Sequence, residues 1–183
     1  MTQESSSTAA EIVAFWREAG PDRWFKKDEA FDRRFRERFL VAHEVAAAGQ
    51  LAHWQGEPDG ALALLLLLDQ FPRNAFRDTP RMYATDPLAR DVAHVVLAAG
   101  IDQRVAADLR LFCYLPFSHA EDLAEQDLAV RLQTPLGEEY LKHAEGHRDI
   151  IRRFGRFPHR NRTLGRTSTP EEQAFLDAGG FGG

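Results

Sequence analysis

The sequence predicts an all-α fold of about eight helices, and three observations carry that reading. Cap residues stand directly before prolines at Thr79-Pro80, Asp86-Pro87, Thr134-Pro135 and Thr169-Pro170, and proline is favoured at the first position of a helix. The run "ALALLLLL" at 61–68 is apolar on every side and built of Leu and Ala, residues that favour helix over strand. No stretch alternates polar and apolar residues as a half-buried strand would, and no hairpin turn signal is present.

Taken in order, Thr8 and Glu11 form a capping box that opens a helix over 9–19, which Gly20-Pro21 ends. From Asp28, Phe31, Phe35 and Phe39 recur every four residues and make one apolar stripe on a long helix. Arg33, Arg34, Arg36, Glu37 and Arg38 form its wet face, and Gly49 is its stop. Pro58 opens the next helix, whose 61–68 segment is buried all round and which Pro72 ends. A helix from Pro87 closes at Gly100, and Asp102 caps another that runs to Tyr114. Helices over 119–132 and 135–154 follow, the latter closed by Gly155, and Thr169 with Glu172 opens a last short one. The short connections favour antiparallel helix pairs. The whole chain, 1–183, reads as a single domain with frayed ends at 1–7 and 179–183.

Composition excludes several classes of function. The chain has 183 residues, 44% hydrophobic and 28% charged, with a net charge of −5. That balance fits a soluble globular chain and argues against nucleic-acid binding by bulk electrostatics. Cys113 is the only cysteine, so no internal disulfide forms, which fits a cytoplasmic protein. No signal peptide is evident, and the longest apolar run is too short to span a bilayer, so no membrane partner is expected. No nucleophile elbow, phosphate-binding P-loop or dinucleotide fingerprint is present.

Two strings stand out because they share a core: "DQFPRN" at 69–74 and "FGRFPHRN" at 154–161. Asp69 ends the most buried helix and needs a charge partner there. Arg148, Arg152, Arg153, Arg156, Arg160, Arg162 and Arg166 face only Asp149 within 148–166. Such a run is read in two ways. It holds an anion through paired arginines, or it neutralises acids such as Asp69 and Glu121 while the rest is solvated. Arg73, Asn74, Arg156, Arg160 and Asn161 are the candidates for ligand binding. His119, Glu121, His147 and His159 are the candidates for moving protons. Glu139, His143 and His147 share one helical face, but spacing alone does not make a metal site, and neither metal nor organic cofactor is expected. His43, His53 and His94 lie along apolar helices and read as packing residues, and Cys113 reads as buried and inert.

"LLLLLDQFPRNAFR" (64–77), "YLPFSHAED" (114–122) and "HRDIIRRFGRFPHRNRTLGRTSTPEEQAFL" (147–176) together resemble the bacterial domain of unknown function 924 family. With Phe15-Trp16 in the opening helix, the likeness covers nearly the whole chain. The resemblance implies an all-α fold similar to compact tetratricopeptide-repeat superhelices and no established activity. Its motifs match here at Asp69, Gln70, Arg73, Asn74, His119, Glu121, His147, Arg156, His159, Arg160 and Asn161. Three functions follow as expectations: a small anionic ligand is bound, or also transformed, in a cleft lined by Arg and His; the chain is a peptide- or protein-binding helical module; or the polar strings are structural networks. The expected geometry for the first is that both strings point into one cleft, with each Phe docked in the core and each Pro ending a helix.

Overall fold

The Thr8 hydroxyl accepts from the Glu11 amide, and the Glu11 carboxylate accepts from the Thr8 amide, so the first helix begins where capping chemistry places it. The computed structural model describes residues 7–182, so of the ends expected to fray, 1–7 and 179–183, residues 1–6 and 183 lie outside the described residues. The helices are α1 (Ala9–Ala19), α2 (Pro21–Trp24), α3 (Glu29–Ala47), α4 (Pro58–Leu65), α5 (Phe71–Ala75), α6 (Asp86–Ala98), α7 (Leu115–Ser118), α8 (Leu123–Gln133), α9 (Glu138–Phe154) and α10 (Pro170–Asp177). No strand occurs among the described residues. None of these helices is long and apolar enough to cross a membrane. The chain forms two compact units. The first runs to Arg77 and takes up again over Arg81–Pro116; the second holds Asp78–Pro80 and everything from Phe117 on.

In the first unit the phenylalanine stripe does what its spacing requires. Phe31, Phe35 and Phe39 are buried; Phe15 of α1 stacks on Phe31 and Phe35, and Trp16 of α1 packs against both at a tilt. α1 and α6 pack on α4, and α3 packs on α5. Every residue from Ala61 to Leu68 is at most 2% exposed. Burying each of those leucines contributes about 1.5–3 kcal/mol.

The segment from Pro58 to Ala75 is not one regular helix, and Pro72 does not end it. Residues Leu66–Gln70 form a π turn, and Pro72 sits in the first turn of α5 directly after it. The reason is a count of carbonyls. The Phe71 amide donates to Leu66 rather than to Leu67, and Pro72 has no amide to give Leu68. Both deprived carbonyls are buried and both find outside donors. His43 Nδ1 donates to the Leu67 carbonyl at 2.9 Å, and the Thr85 hydroxyl donates to the Leu68 carbonyl at 2.6 Å. A carbonyl only accepts, so His43 carries its proton on Nδ1. Burial keeps its pKa low, which favours that neutral form.

Three further expectations are corrected. The helix expected over 102–114 is replaced by two 3-10 turns, Asp102–Arg104 and Arg110–Cys113. The Arg110 guanidinium donates to the carbonyls of Asp102, Gln103 and Val105, which a continuous helix would use for itself. Asp102 is no cap: its buried carboxylate accepts from Tyr114 Oη at 2.8 Å and Gln103 Nε2 at 2.6 Å. Thr134 does not open α9; its hydroxyl donates back to the Val130 carbonyl, and α9 begins after Gly137. Of the three histidines read as packing residues only His43 is buried, whereas His53 and His94 are exposed.

In the second unit α8 packs against α9. Ile150, Ile151 and Phe157 form its core, with Phe154 and Phe175 at the edge. Polar side chains stitch the residues before α8 to it: the buried Gln126 amide donates to the carbonyls of Ser118 and Ala120, and Gln133 donates to the Ser118 hydroxyl. Gly155 ends α9 at φ 70°, a left-handed conformation that glycine takes without strain.

Candidate functional site

Both Phe-Pro strings resolve into ion-pair networks inside their own units. In the first unit, Arg73 Nη1 lies 2.8 Å from one Asp86 oxygen and 3.2 Å from Asp69 Oδ1, and Nη2 donates to the other Asp86 oxygen. Burial works against the Arg73 charge, but the two carboxylates outweigh it and raise the pKa. The Gln70 amide donates to Asp69 Oδ2 at 2.7 Å. Asn74 donates to Asp32 at 2.7 Å, and Arg77 clasps the same carboxylate through Nε and Nη2. Asp69 thus has the cation its position required, and Arg73 and Asn74 both serve carboxylates of the chain.

In the second unit, Arg156 clasps Glu172 through Nε at 2.6 Å and Nη2 at 2.8 Å. The Arg156 bond, with the Thr169 amide and Asn161 behind it, holds the Glu172 pKa down at about 2. Glu121 is clasped by Arg166 at 2.6 and 2.9 Å and accepts from the Phe157 amide at 2.8 Å. Burial pushes its carboxyl up, but those bonds prevail and pull it below the usual range. A carboxylate so held anchors the loop. Asn161 donates to Glu172 and Ser168 and accepts from Arg166 Nε. Arg156, Asn161, Glu121 and Arg166 therefore fix the path of the 154–161 string.

Inside that frame stand the remaining candidates. Phe157 is buried, and Pro158–Arg160 make a 3-10 turn that carries His159 and Arg160. Arg160 Nη2 donates to the His119 carbonyl at 3.0 Å, and its guanidinium lies 4.6 Å above the Phe157 ring. His147 from α9 lies 6.4 Å from His119 and 5.6 Å from Phe157, ring centre to ring centre. His159 is 5.6 Å from Phe157. The structure thus brings His147, His159 and Arg160 around Phe157, with His119 against His147 and Arg160. His147 is the most perturbed of them. Burial is the main cause, and His119, Arg160, His143 and His159, all basic, add to it, so its pKa falls to about 3. Its Nδ1 is buried and has no hydrogen-bond partner among the described residues.

The family model for bacterial proteins of unknown function DUF924 matches residues 12–180. The chain belongs to this family. A solved structure, the protein of unknown function ATU0120 from Agrobacterium tumefaciens, is similar to this DUF924 chain at 59% identity with a TM-score of 0.91. That match covers 93% of this chain and 97% of the other. No curated protein matches.

Sequence reasoning missed one member of the cluster in this DUF924 chain. The Phe181 ring packs edge-on against His147 at 4.8 Å and His159 at 5.1 Å. Its signal was the glycine pair after α10. Gly179 sits at φ 79°, and the Gly180 amide reaches back to the Phe175 carbonyl at 2.9 Å, the closure that turns a chain back along its own helix. Glu139 and His143 are exposed, and no group of three or more His, Cys, Asp or Glu side chains among the described residues is placed to hold a metal ion. Cys113 is buried, and burial pushes its thiol up to about 12, so it stays protonated.

Proposed function

We propose that the second unit binds a small anion at the cluster of His119, His147, His159 and Arg160. One observation carries the reading: the buried Nδ1 of His147 has no hydrogen-bond partner among the described residues, and His119, His143, His159 and Arg160 all act on this imidazole. A buried polar atom without a partner costs about 1–3 kcal/mol. A ligand oxygen accepting from His147 Nδ1–H would remove that cost. Arg73, Asn74, Arg156 and Asn161 bind carboxylates of the chain itself and support the fold in this reading. His147 stays neutral at pH 7 and so is able to take or give a proton once a ligand is seated, which leaves room for chemistry as well as binding.

The test is a thermal-shift series with inorganic phosphate, acetate and citrate at constant ionic strength. A ligand present at 100 times its dissociation constant adds about 2.7 kcal/mol of stability. The stabilisation is expected for the wild type and is lost in His147→Phe, which keeps the ring volume and removes the nitrogen. No stabilisation by any anion, or an equal one in His147→Phe, refutes the proposal.

A further inference from the structure

The anion-binding reading leaves Phe181 unexplained. Its ring stands edge-on to both His147 and His159, at 84° and 85°, one of the two arrangements aromatic pairs prefer. Yet the residue remains 40% exposed. It is therefore a large apolar side chain that covers part of the basic cluster and gives up only part of its own surface to do so.

Its position is built rather than accidental. Thr169 and Glu172 start α10 with a capping box, and Glu172 is in turn held by Arg156 of the 154–161 loop. At the other end, Gly179 and Gly180 turn the chain, and a β-carbon on Gly180 would come within 2.6 Å of the Phe175 ring. The turn is fixed by those contacts and sends the next residue, Phe181, onto the two histidines. The turn itself is held one residue before the ring, so the ring can be displaced with the turn intact.

Resting on the anion-binding reading, we infer that the ligand of this cluster is a small anion carrying a planar ring, and that Phe181 occupies the ring's seat until the ligand arrives. The seat is walled by the His147 and His159 rings, with Phe157 beyond them at 5.6 Å from each. A bare inorganic anion has no use for such a wall. An aromatic carboxylate uses both parts: its ring replaces Phe181, and its carboxylate accepts from His147 Nδ1–H beside Arg160. The neutral imidazole suits this ligand because it donates one hydrogen bond without needing to be charged. Phe181 then acts as a competitor held on the chain. If it fills the seat about nine-tenths of the time, the apparent affinity is about tenfold below the intrinsic one.

The experiment is calorimetric titration of the full chain and of Phe181→Ala with phenylacetate, acetate and 2-phenylethanol. Phenylacetate is expected to bind Phe181→Ala about tenfold more tightly than wild type, and more tightly than either acetate or 2-phenylethanol binds the same variant. Acetate binding as well as phenylacetate overturns the ring seat and leaves the anion site standing. Binding of 2-phenylethanol as tight as phenylacetate, or no binding by either carboxylate, overturns the aromatic-anion ligand, while the anion site itself stands or falls on the phosphate and citrate thermal shifts. In the unsubstituted chain the Phe181 ring resonances report the exchange directly, whatever the variant's stability: they move to solvent-like positions as phenylacetate is added. Phenylacetate bound with those resonances unmoved overturns the competitor role.

Discussion

Thr85→Val tests the carbonyl account of the π turn. The two side chains have nearly the same shape, so the substitution removes one hydroxyl and little else. That hydroxyl donates at 2.6 Å to the carbonyl of Leu68, a fully buried residue whose regular donor position is Pro72. A buried carbonyl that loses its partner costs about 1–3 kcal/mol. In a chain of this length each kcal/mol lowers Tm by about 2–4 °C, so the expected fall is about 2–12 °C by calorimetry. The decisive arm is a second substitution. Pro72→Ala restores a backbone amide that can serve Leu68, so Thr85→Val should cost markedly less in that background. Pro72→Ala alone carries a separate loss of about 0.4–1 kcal/mol through the freer unfolded chain, which the cycle subtracts. Thr85→Val within ~0.3 kcal/mol of wild type, or the same cost in both backgrounds, would refute the reasoning.

Arg73→Ala removes the cation that bridges Asp69 and Asp86; breaking a buried pair costs about 3–5 kcal/mol, and urea unfolding should show it with no loss of anion binding in the second unit. Leu65→Asp places a charge at a position 1% exposed and should abolish folded expression; a cooperatively melting variant would sink the buried-helix assignment. Acid sensitivity should come in two windows. His147 has its folded pKa lowered from 6.5 to about 3, so the unfolded chain gains a proton that the folded one refuses, and stability falls as pH drops below 6.5, at up to about 1.4 kcal/mol per pH unit. Glu172 is lowered from 4.5 to about 2, so its contribution is complete above pH 4.5 and is lost as pH falls towards 2. His147→Phe should shrink the first window, to which His43 also contributes, and Glu172→Gln the second, to which Glu121 also contributes, read as Tm against pH.

What the sequence made legible is what neighbours along the chain decide. The Thr8–Glu11 and Thr169–Glu172 boxes, the Phe31, Phe35, Phe39 stripe and the glycine stop at 155 are each settled within a few residues, and each is where it was expected. The misreadings at Pro72 and over 102–114 share one cause. Pro72 breaks a helix only if nothing else satisfies the carbonyls it strands, and here the donors come from His43 and Thr85, 24 and 17 residues away from the carbonyls they serve. The helix expected at 102–114 was lost to Arg110, a side chain no propensity scale counts as a rival for carbonyls. Partner choice was equally hidden. Asp69 was seen to need a cation, but that Asp32 would take Asn74 and Arg77 could not be read across 42 and 45 residues.

The same reasoning explains why two strings with one pattern do different work. In both, an Arg-Asn pair follows Phe-Pro, and in both the phenylalanine is buried. In "DQFPRN" the arginine meets two carboxylates and the asparagine a third, so every charge there is spoken for within the fold. In "FGRFPHRN" the carboxylates go elsewhere: Glu172 takes Arg156 and Glu121 takes Arg166. Those two clasps hold the loop from either side, and of the residues between them His159 and Arg160 act on His147, Arg160 donates to the His119 carbonyl, and the Arg160 charge also acts on Glu121. The second string is thus held rigid by its own ion pairs, and an anionic ligand would have a preformed place to bind.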